Sequence, residues 1–453
     1  MSQPSEASKT SYHTLSEKQV TAIDFINSGD TTLLIAPTGE GKTSIALHAI
    51  NTALSLGHTD QAIVACPASV VSHWPNEPSK WALLKGLVVK AVVGSPEARK
   101  QILASNPHVL VVSLNNLSWL LDQKPVAKMI IIDELSKAAG KFTAKLRHKK
   151  HQHIDIRIGM TATPVSESFE NLFGMVRVID SGKTFGRSKE RFMDKYFIAL
   201  DYKGYKHELR AGADKELMAA IEPMLHNVTS TKAETLPPKT VTLWPFDMPH
   251  DTRLVYEELK KSMLSGTHNI VAATAATLSN KLRQVASGFA IDDDDNVVML
   301  DYERAYQAYH WVRDLFGKKG IILYQYNHQR TQLERMLANQ KTTSVYGGCD
   351  KAKALADFHG DAQILIAQES TLSHGVDGLQ HICCDMLFYQ PTWSRDINEQ
   401  APDRLWRTGQ EEEVRICTLV CNHSIDQAVL DRLDHKGQFM DLFLAHLREK
   451  DNG

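Results

Sequence analysis

From Leu33 to Ile132 the chain alternates short, almost wholly apolar runs with longer amphipathic stretches. The short runs are LLIA from Leu33, QAIVAC from Gln61, VLVVS from Val109 and MIIIDE from Met129. A run that is apolar at consecutive positions, and not at every second one, belongs to a strand covered on both faces, as in a parallel sheet between two helical layers. The rhythm restarts near Gly320 with GIILYQY, QILIAQ, DMLFYQ and RICTLV, again separated by helix-length segments. The pattern predicts an α/β fold of two tandem lobes, each a parallel sheet flanked by helices. No short fixed period recurs, which argues against a solenoid.

Leu236-Pro237-Pro238-Lys239 lies between the halves, and a proline pair denies helix and favours an extended connector. The expected division is an unstructured N-terminus over 1–10, a first lobe over 11–235, a connector over 236–249, a second lobe over 250–445 with a helical insertion at 250–317, and a tail over 446–453. Asp292 to Asn296 sits between FAI and VVML, so it reads as a hairpin tip and not a metal site. The basic run from Lys137 to His153 reads as a solvated helix face, with contact to phosphates as the alternative.

Composition narrows the class. The chain's 453 residues suit two or three domains, and 43% hydrophobic with 23% charged residues are globular values. No apolar run approaches the roughly 18 residues of a membrane span. Met1 to Lys9 has neither the apolar core nor the basic start of a secretory signal. A cytoplasmic location is expected, in the host's cytoplasm for a viral chain, with no membrane. Six cysteines without paired zinc spacing read as reduced thiols. Fifty-one basic against 53 acidic residues give a net charge of −2, so any surface for a polyanion must be local.

The first apolar run leads into Ala36-Pro37-Thr38-Gly39-Glu40-Gly41-Lys42-Thr43, which ends as a P-loop ends, with a small residue in place of the first glycine. Small residues let backbone N–H groups curl around phosphate oxygens while the following helix points its positive end at them. Pro37, Thr38, Gly39, Glu40, Gly41, Lys42, Thr43 and Ser44 are therefore expected to hold ATP. Lys42 would reach the β and γ phosphates and Thr43 would ligate Mg²⁺. MIIIDELS then supplies Asp133 for the metal and Glu134 to orient or deprotonate the attacking water.

With these motifs in place, the succession along the chain resembles helicase superfamily two, and within it a compact Swi/Snf-type member of viral or bacterial kind. LSEKQ looks like the adenine-reading element through Gln19, whose amide can both donate and accept. CPASVVSHWPNEPSKW and VVSLNNLSWL resemble the elements that hold one nucleic-acid strand, which points to Ser69, Trp74 and Ser113. GMTATP resembles the coupling motif, with hydroxyls on Thr161 and Thr163. KLRQVASG looks like the Leu-Arg-Gln element of this branch. Ser373, His374 and Gly375 open a loop like the one that touches nucleic acid and faces the nucleotide. QAPDRLWRTGQ, Gln400 to Gln410, resembles the branch's last motif, and Ser424-Ile425-Asp426 with Lys436 its closing element.

The resemblance implies RecA-like lobes with ATP between them: Gln19, Lys42, Thr43, Asp133 and Glu134 from the first, Gln400, Arg404 and Arg407 from the second. Arg404 and Arg407, three apart, are expected on one helical face. Leu135-Ser136 stand where Ala-His often follows Asp-Glu, and Trp406 where many members have His. The function implied is a DNA-dependent ATPase that moves along duplex DNA in replication, recombination or repair. A monomer is expected, and cleavage of DNA would need a nuclease partner. The rivals are an ATP-gated clamp that does not move and an RNA remodeller.

Overall fold

The structure is a computed structural model that describes residues 13–138, 144–164, 168–200, 207–230, 235–264, 271–292, 296–372, 376 and 378–434. Its residues fall into two compact units that divide between Ser230 and Thr231.

The first unit carries β1 (Thr31–Ile35), β2 (Ala62–Cys66), β3 (Val89–Ala91), β4 (Val109–Ser113), β5 (Met129–Asp133), β6 (Ile156–Thr161), the pair β7 (Phe197–Ala199) and β8 (His207–Leu209), and β9 (Leu225–Asn227). Seven of these form one parallel sheet in the order β3-β4-β2-β5-β6-β1-β9. The apolar runs are buried on both faces. Leu33, Ile35, Ile63 and Ala65 pack into one core layer and Leu34, Ala36, Ala62 and Val64 into the other. Successive strand side chains point to opposite faces, so a continuous apolar run feeds two cores.

The second unit carries β10 (Lys239–Phe246), β11 (Phe289–Ile291), β12 (Val297–Met299), β13 (Gly320–Tyr324), β14 (Thr342–Val345), β15 (Ile364–Gln368), β16 (Asp385–Phe388) and β17 (Val414–Cys421). Its parallel six-stranded sheet runs β10-β17-β16-β13-β15-β14. Ile322, Tyr324, Ile364 and Ile366 pack on one side and Ile321, Leu323, Leu365 and Ala367 on the other. A buried polar layer crosses the strand ends. Arg304 pairs with Asp426 and also donates to the carbonyls of Ala286 (3.0 Å), Tyr389 (2.8 Å) and Leu419 (3.1 Å). Asp426 in turn accepts from the Cys421 N–H and the Gln390 amide.

Two expectations are corrected here. The stretch 236–249 is more than a connector, because Lys239–Phe246 pairs with β17 along all eight residues. Most of that strand is exposed at the sheet's edge, so it lacks the continuous apolar run that marks its neighbours. The basic stretch from Lys137 is not one helix face. Its described part forms the short helix Leu135–Ala138 and the 3₁₀ turns Ala144–Arg147 and Lys149–His151, and Lys145 is spent on Asp122 at 2.5 Å. The acidic run lies between β11 and β12, which pair antiparallel, and its residues 293–295 lie outside the described residues. Asp292 and Asn296 close it backbone to backbone at 3.0 Å, with the Asn296 N–H donating to the Asp292 carboxylate at 2.8 Å.

Candidate active site

β1 delivers the chain to the P-loop at the carboxyl end of the first sheet. The Ala36 N–H continues the ladder by donating to the Thr161 carbonyl at 3.0 Å. Gly39 and Gly41 then take φ of 89° and 80°, the left-handed region that costs glycine little. Gly41 precedes the helix Lys42–Ser55, and a Cβ there would meet the Gln19 amide nitrogen at 2.3 Å. A larger residue there would have to displace that amide and would also sit in a backbone conformation that disfavours a Cβ.

Gln19 is built into the loop. Its carbonyl oxygen accepts from the Ser16 N–H at 2.9 Å and its amide donates to the Glu40 carbonyl at 3.1 Å. The capping box that starts the helix Glu17–Asn27 thus also seats the residue expected to read the base. Lys42 folds back onto the Ala36 carbonyl at 2.9 Å, and Ser44 bonds the Gly41 carbonyl at 2.8 Å. Glu40 accepts from the Ser230 hydroxyl at 2.6 Å and Lys18 donates to the Thr229 carbonyl at 3.2 Å. The segment just after β9 therefore braces the loop, a role that no motif spacing signals.

β5 ends at Asp133, two strands from β1. Burial pushes its carboxyl up to about 7, the Glu134 charge adds to the rise, and Lys42, the Glu134 N–H and Lys137 oppose it. Glu134 follows with φ of 55°, an uncommon backbone for a side chain with a Cβ, and its buried Oε2 has no hydrogen-bond partner among the described residues. Two carboxylates held together against repulsion, one with an unsatisfied oxygen, fit a divalent cation, and Lys42 and Thr43 open the facing helix. The residues suit Mg²⁺, which keeps most of its water and takes few protein ligands.

Thr161 and Thr163 lie at the end of β6 and are buried. The Thr161 hydroxyl donates to the Ser136 hydroxyl at 3.2 Å and accepts from the Thr163 N–H at 3.1 Å. Ser136 thus links the Asp-Glu strand to the Thr-Ala-Thr turn. Leu135 is accommodated because Gly159 has no side chain: a Cβ there would meet Leu135 Cδ2 at 2.2 Å.

In the second unit the expected helical face for the two arginines does not form. The helix Arg395–Gln400 is followed by a 3₁₀ turn over Pro402–Arg404. Beyond it the Arg407 N–H reaches only the Leu405 carbonyl (3.1 Å), and Gly409 has φ of 95°. Pro402 has no N–H with which to continue the preceding helix. Arg404 and Arg407 are carried instead on a short loop. Gln410 pins its far end, donating to the carbonyls of Cys383 at 3.0 Å and Leu405 at 3.3 Å. Gln400 is buried and its amide nitrogen has no hydrogen-bond partner among the described residues. Lys351, absent from the expected set, is close enough to Arg404 that burial first and that charge second lower its pKa. Its signal in sequence is only a lysine at a helix start.

Of the residues expected on nucleic acid, Ser69 is exposed in the 3₁₀ turn Ala68–Val70. Trp74 is a correction: at 1% exposure it packs in the core beside Val71 and Leu84, and cannot touch a ligand without leaving it. Ser113 is 8% exposed at the end of β4. Ser373, His374, Gly375 and Lys436 lie outside the described residues.

The model of the SNF2-related domain matches residues 15–292, more than half of the chain. The chain belongs to the SNF2-related domain family. It is 25% identical over 439 residues to putative protein p41 of Acyrthosiphon pisum secondary endosymbiont phage 1, covering 91% of this chain and 94% of that one. An uncharacterized ATP-dependent helicase, YqhH of Bacillus subtilis, is 22% identical over 89% of this chain and 74% of its own. Among solved structures the SWI2/SNF2 ATPase core of Sulfolobus solfataricus in complex with dsDNA aligns over 96% of this chain and 93% of that one, with TM-score 0.43 and 19% identity. Among the described residues of this SNF2-related chain, no helix is long and apolar enough to cross a membrane.

Proposed function

We propose that this SNF2-related chain is an ATP-driven DNA translocase. The observation that carries the reading is the convergence of Lys42, Asp133 and Glu134. The lysine lowers, and the glutamate raises, the affinity of the buried Asp133 carboxyl for its proton. When held by Thr43 and Asp133, Mg²⁺ would neutralise charge developing on the phosphates.

Gln19 orients the base, the N–H groups of the Gly39–Lys42 turn cradle phosphate oxygens, and Thr43 and Asp133 hold the metal. Glu134 takes up the attacking water with the carboxylate oxygen that has no hydrogen-bond partner among the described residues, and accepts its proton. Arg404 and Arg407, in the second unit, are assigned to binding phosphate by the likeness of Gln400 to Gln410 to the family's last motif. A guanidinium suits that place because its charge is permanent and its fork matches phosphate oxygens. The Ser136–Thr161–Thr163 chain passes nucleotide state from β5 to β6. Duplex DNA is the proposed track, gripped through its backbone and not its base edges.

The test is steady-state ATP hydrolysis with and without duplex DNA, single-stranded DNA and RNA, for the wild type beside Glu134→Gln and Arg407→Ala. Turnover stimulated by duplex DNA should fall at least about a hundredfold in Glu134→Gln, the scale of a lost general base, while ATP still binds. Stronger stimulation by RNA would favour an RNA remodeller. Turnover indifferent to every nucleic acid would remove the motor assignment.

A further inference from the structure

The arginine loop is tied to the chain that enters the second unit. Trp406, between Arg404 and Arg407, donates its indole N–H to the Pro237 carbonyl at 2.8 Å. The Lys239 ammonium lies 4.3 Å from the centre of the same ring. One residue on, the Pro238 carbonyl accepts from the Val414 N–H at 2.9 Å, where the chain leaves the loop and starts β17. Pro237 to Lys239 is thus gripped by both sides of the segment that carries the arginines.

The grip matters because the loop has little regular structure of its own. After the 3₁₀ turn Pro402–Arg404 its backbone–backbone bonds among the described residues are short-range, so side-chain ties, the Gln380 amide on the Thr408 carbonyl at 3.5 Å among them, help set where the two guanidinium groups stand. Gln410 fixes the far end to the Cys383 carbonyl. Trp406 fixes the middle, and its anchor is Pro237, just before β10. A half-buried indole N–H finds a partner or pays for its absence. Here the partner is a proline carbonyl, in a dipeptide stiff enough to transmit displacement.

We infer that Trp406 is a positioning residue, coupling the connector at Pro237 to the placement of Arg404 and Arg407. The inference rests on the reading of those arginines as phosphate-binding groups. Displacement of Pro237 then carries the indole, and the arginines beside it, so the connector sets how readily the loop adopts its productive position. Lys239 over the ring limits how far the indole can rotate.

The experiment compares Trp406→Phe, which keeps the ring under Lys239 but has no N–H, with Trp406→His, which restores an N–H donor, and with Lys239→Met, an exposed change that leaves the ring's hydrogen bond intact. ATP turnover with saturating duplex DNA, KM for ATP and melting temperature are measured for each. Trp406→Phe should lower the stimulated kcat about fivefold, the factor commanded by one hydrogen bond of ordinary net strength, with KM unchanged within about twofold because ground-state ATP binding lies elsewhere. Trp406→His should recover most of that loss. Lys239→Met should lower kcat about twofold without changing the melting temperature, and so carries the test even if Trp406→Phe folds poorly. Wild-type kcat in both Trp406→Phe and Lys239→Met, in a protein whose turnover duplex DNA does stimulate, overturns the inference alone. A fall in kcat matched by an equal fall in melting temperature, with no recovery in Trp406→His and none of the loss in Lys239→Met, overturns it in favour of packing. A wild type that no nucleic acid stimulates overturns the motor reading and this inference with it.

Discussion

Glu369 opens the short helix after β15 and is 4% exposed. Burial pushes its carboxyl up to about 7, against hydrogen bonds from Gln325 and Thr392 and the charge of Arg283. Gln325 bridges the two, accepting from the Arg283 guanidinium and donating to Glu369 at 2.9 Å. The folded state therefore holds this proton more tightly than the unfolded chain, whose glutamate has its ordinary value of 4.5. The stability so gained is complete below that value and is lost as pH rises through about 7. Glu369→Gln keeps the hydrogen-bonding shape without the charge. Its unfolding free energy should match the wild type's near pH 4.5 and exceed it above pH 8 by on the order of 3 kcal/mol, because the wild type loses about 1.4 kcal/mol for each pH step between 4.5 and about 7. Denaturant melts across that range decide it. A variant less stable at pH 8 would mean that the ionised carboxylate gains more from Arg283 than burial costs.

Among elements, the end of β5 and the middle of β6 show how one departure from the family pattern is accommodated. Leu135 is larger than the alanine often found at its place, and Gly159 across from it has no side chain. Gly159→Ala should cost roughly 1–3 kcal/mol, the range of an overpacked core, and should weaken coupling through Ser136 and Thr161. Leu135→Ala in the same chain should restore part of it. A double-mutant cycle with a coupling energy near zero would show that Leu135 rotates aside without cost. This pairing was not legible beforehand, because nothing in a single sequence says that residues so far apart share a space. The strands were legible where burial on both faces leaves a continuous apolar run, as in β1, β2, β4, β5, β13, β15, β16 and β17. The edge strands β3, β9, β10 and β14 are short or half exposed, and their composition did not distinguish them from loops. The arginine loop misled for the opposite reason. A spacing of three suits a helix, and Pro402 together with Gly409 breaks the helix that the spacing assumed.

At the scale of the whole molecule, the order of the motifs conveyed the ATP chemistry, while charge conveyed almost nothing about the track. A net charge of −2 supplies no long-range pull on a polyanion, and part of the most basic run is spent internally, Lys145 on Asp122. Affinity for DNA must then come from a limited number of local contacts with phosphates. Each phosphate neutralised on a duplex releases bound counterions, so the logarithm of the binding constant falls linearly with the logarithm of salt concentration, at about 0.9 per contact. For a track held by roughly four to six phosphates the slope should be about −4 to −5. It should be the same for duplexes of unrelated sequence, since backbone contacts carry no base information. Titration of labelled duplexes between low and moderate salt measures both. A slope near zero would remove the phosphate grip altogether. A strong preference for one sequence would replace a tracking motor with a site-specific binder, for which the same ATP site would have to serve as a switch.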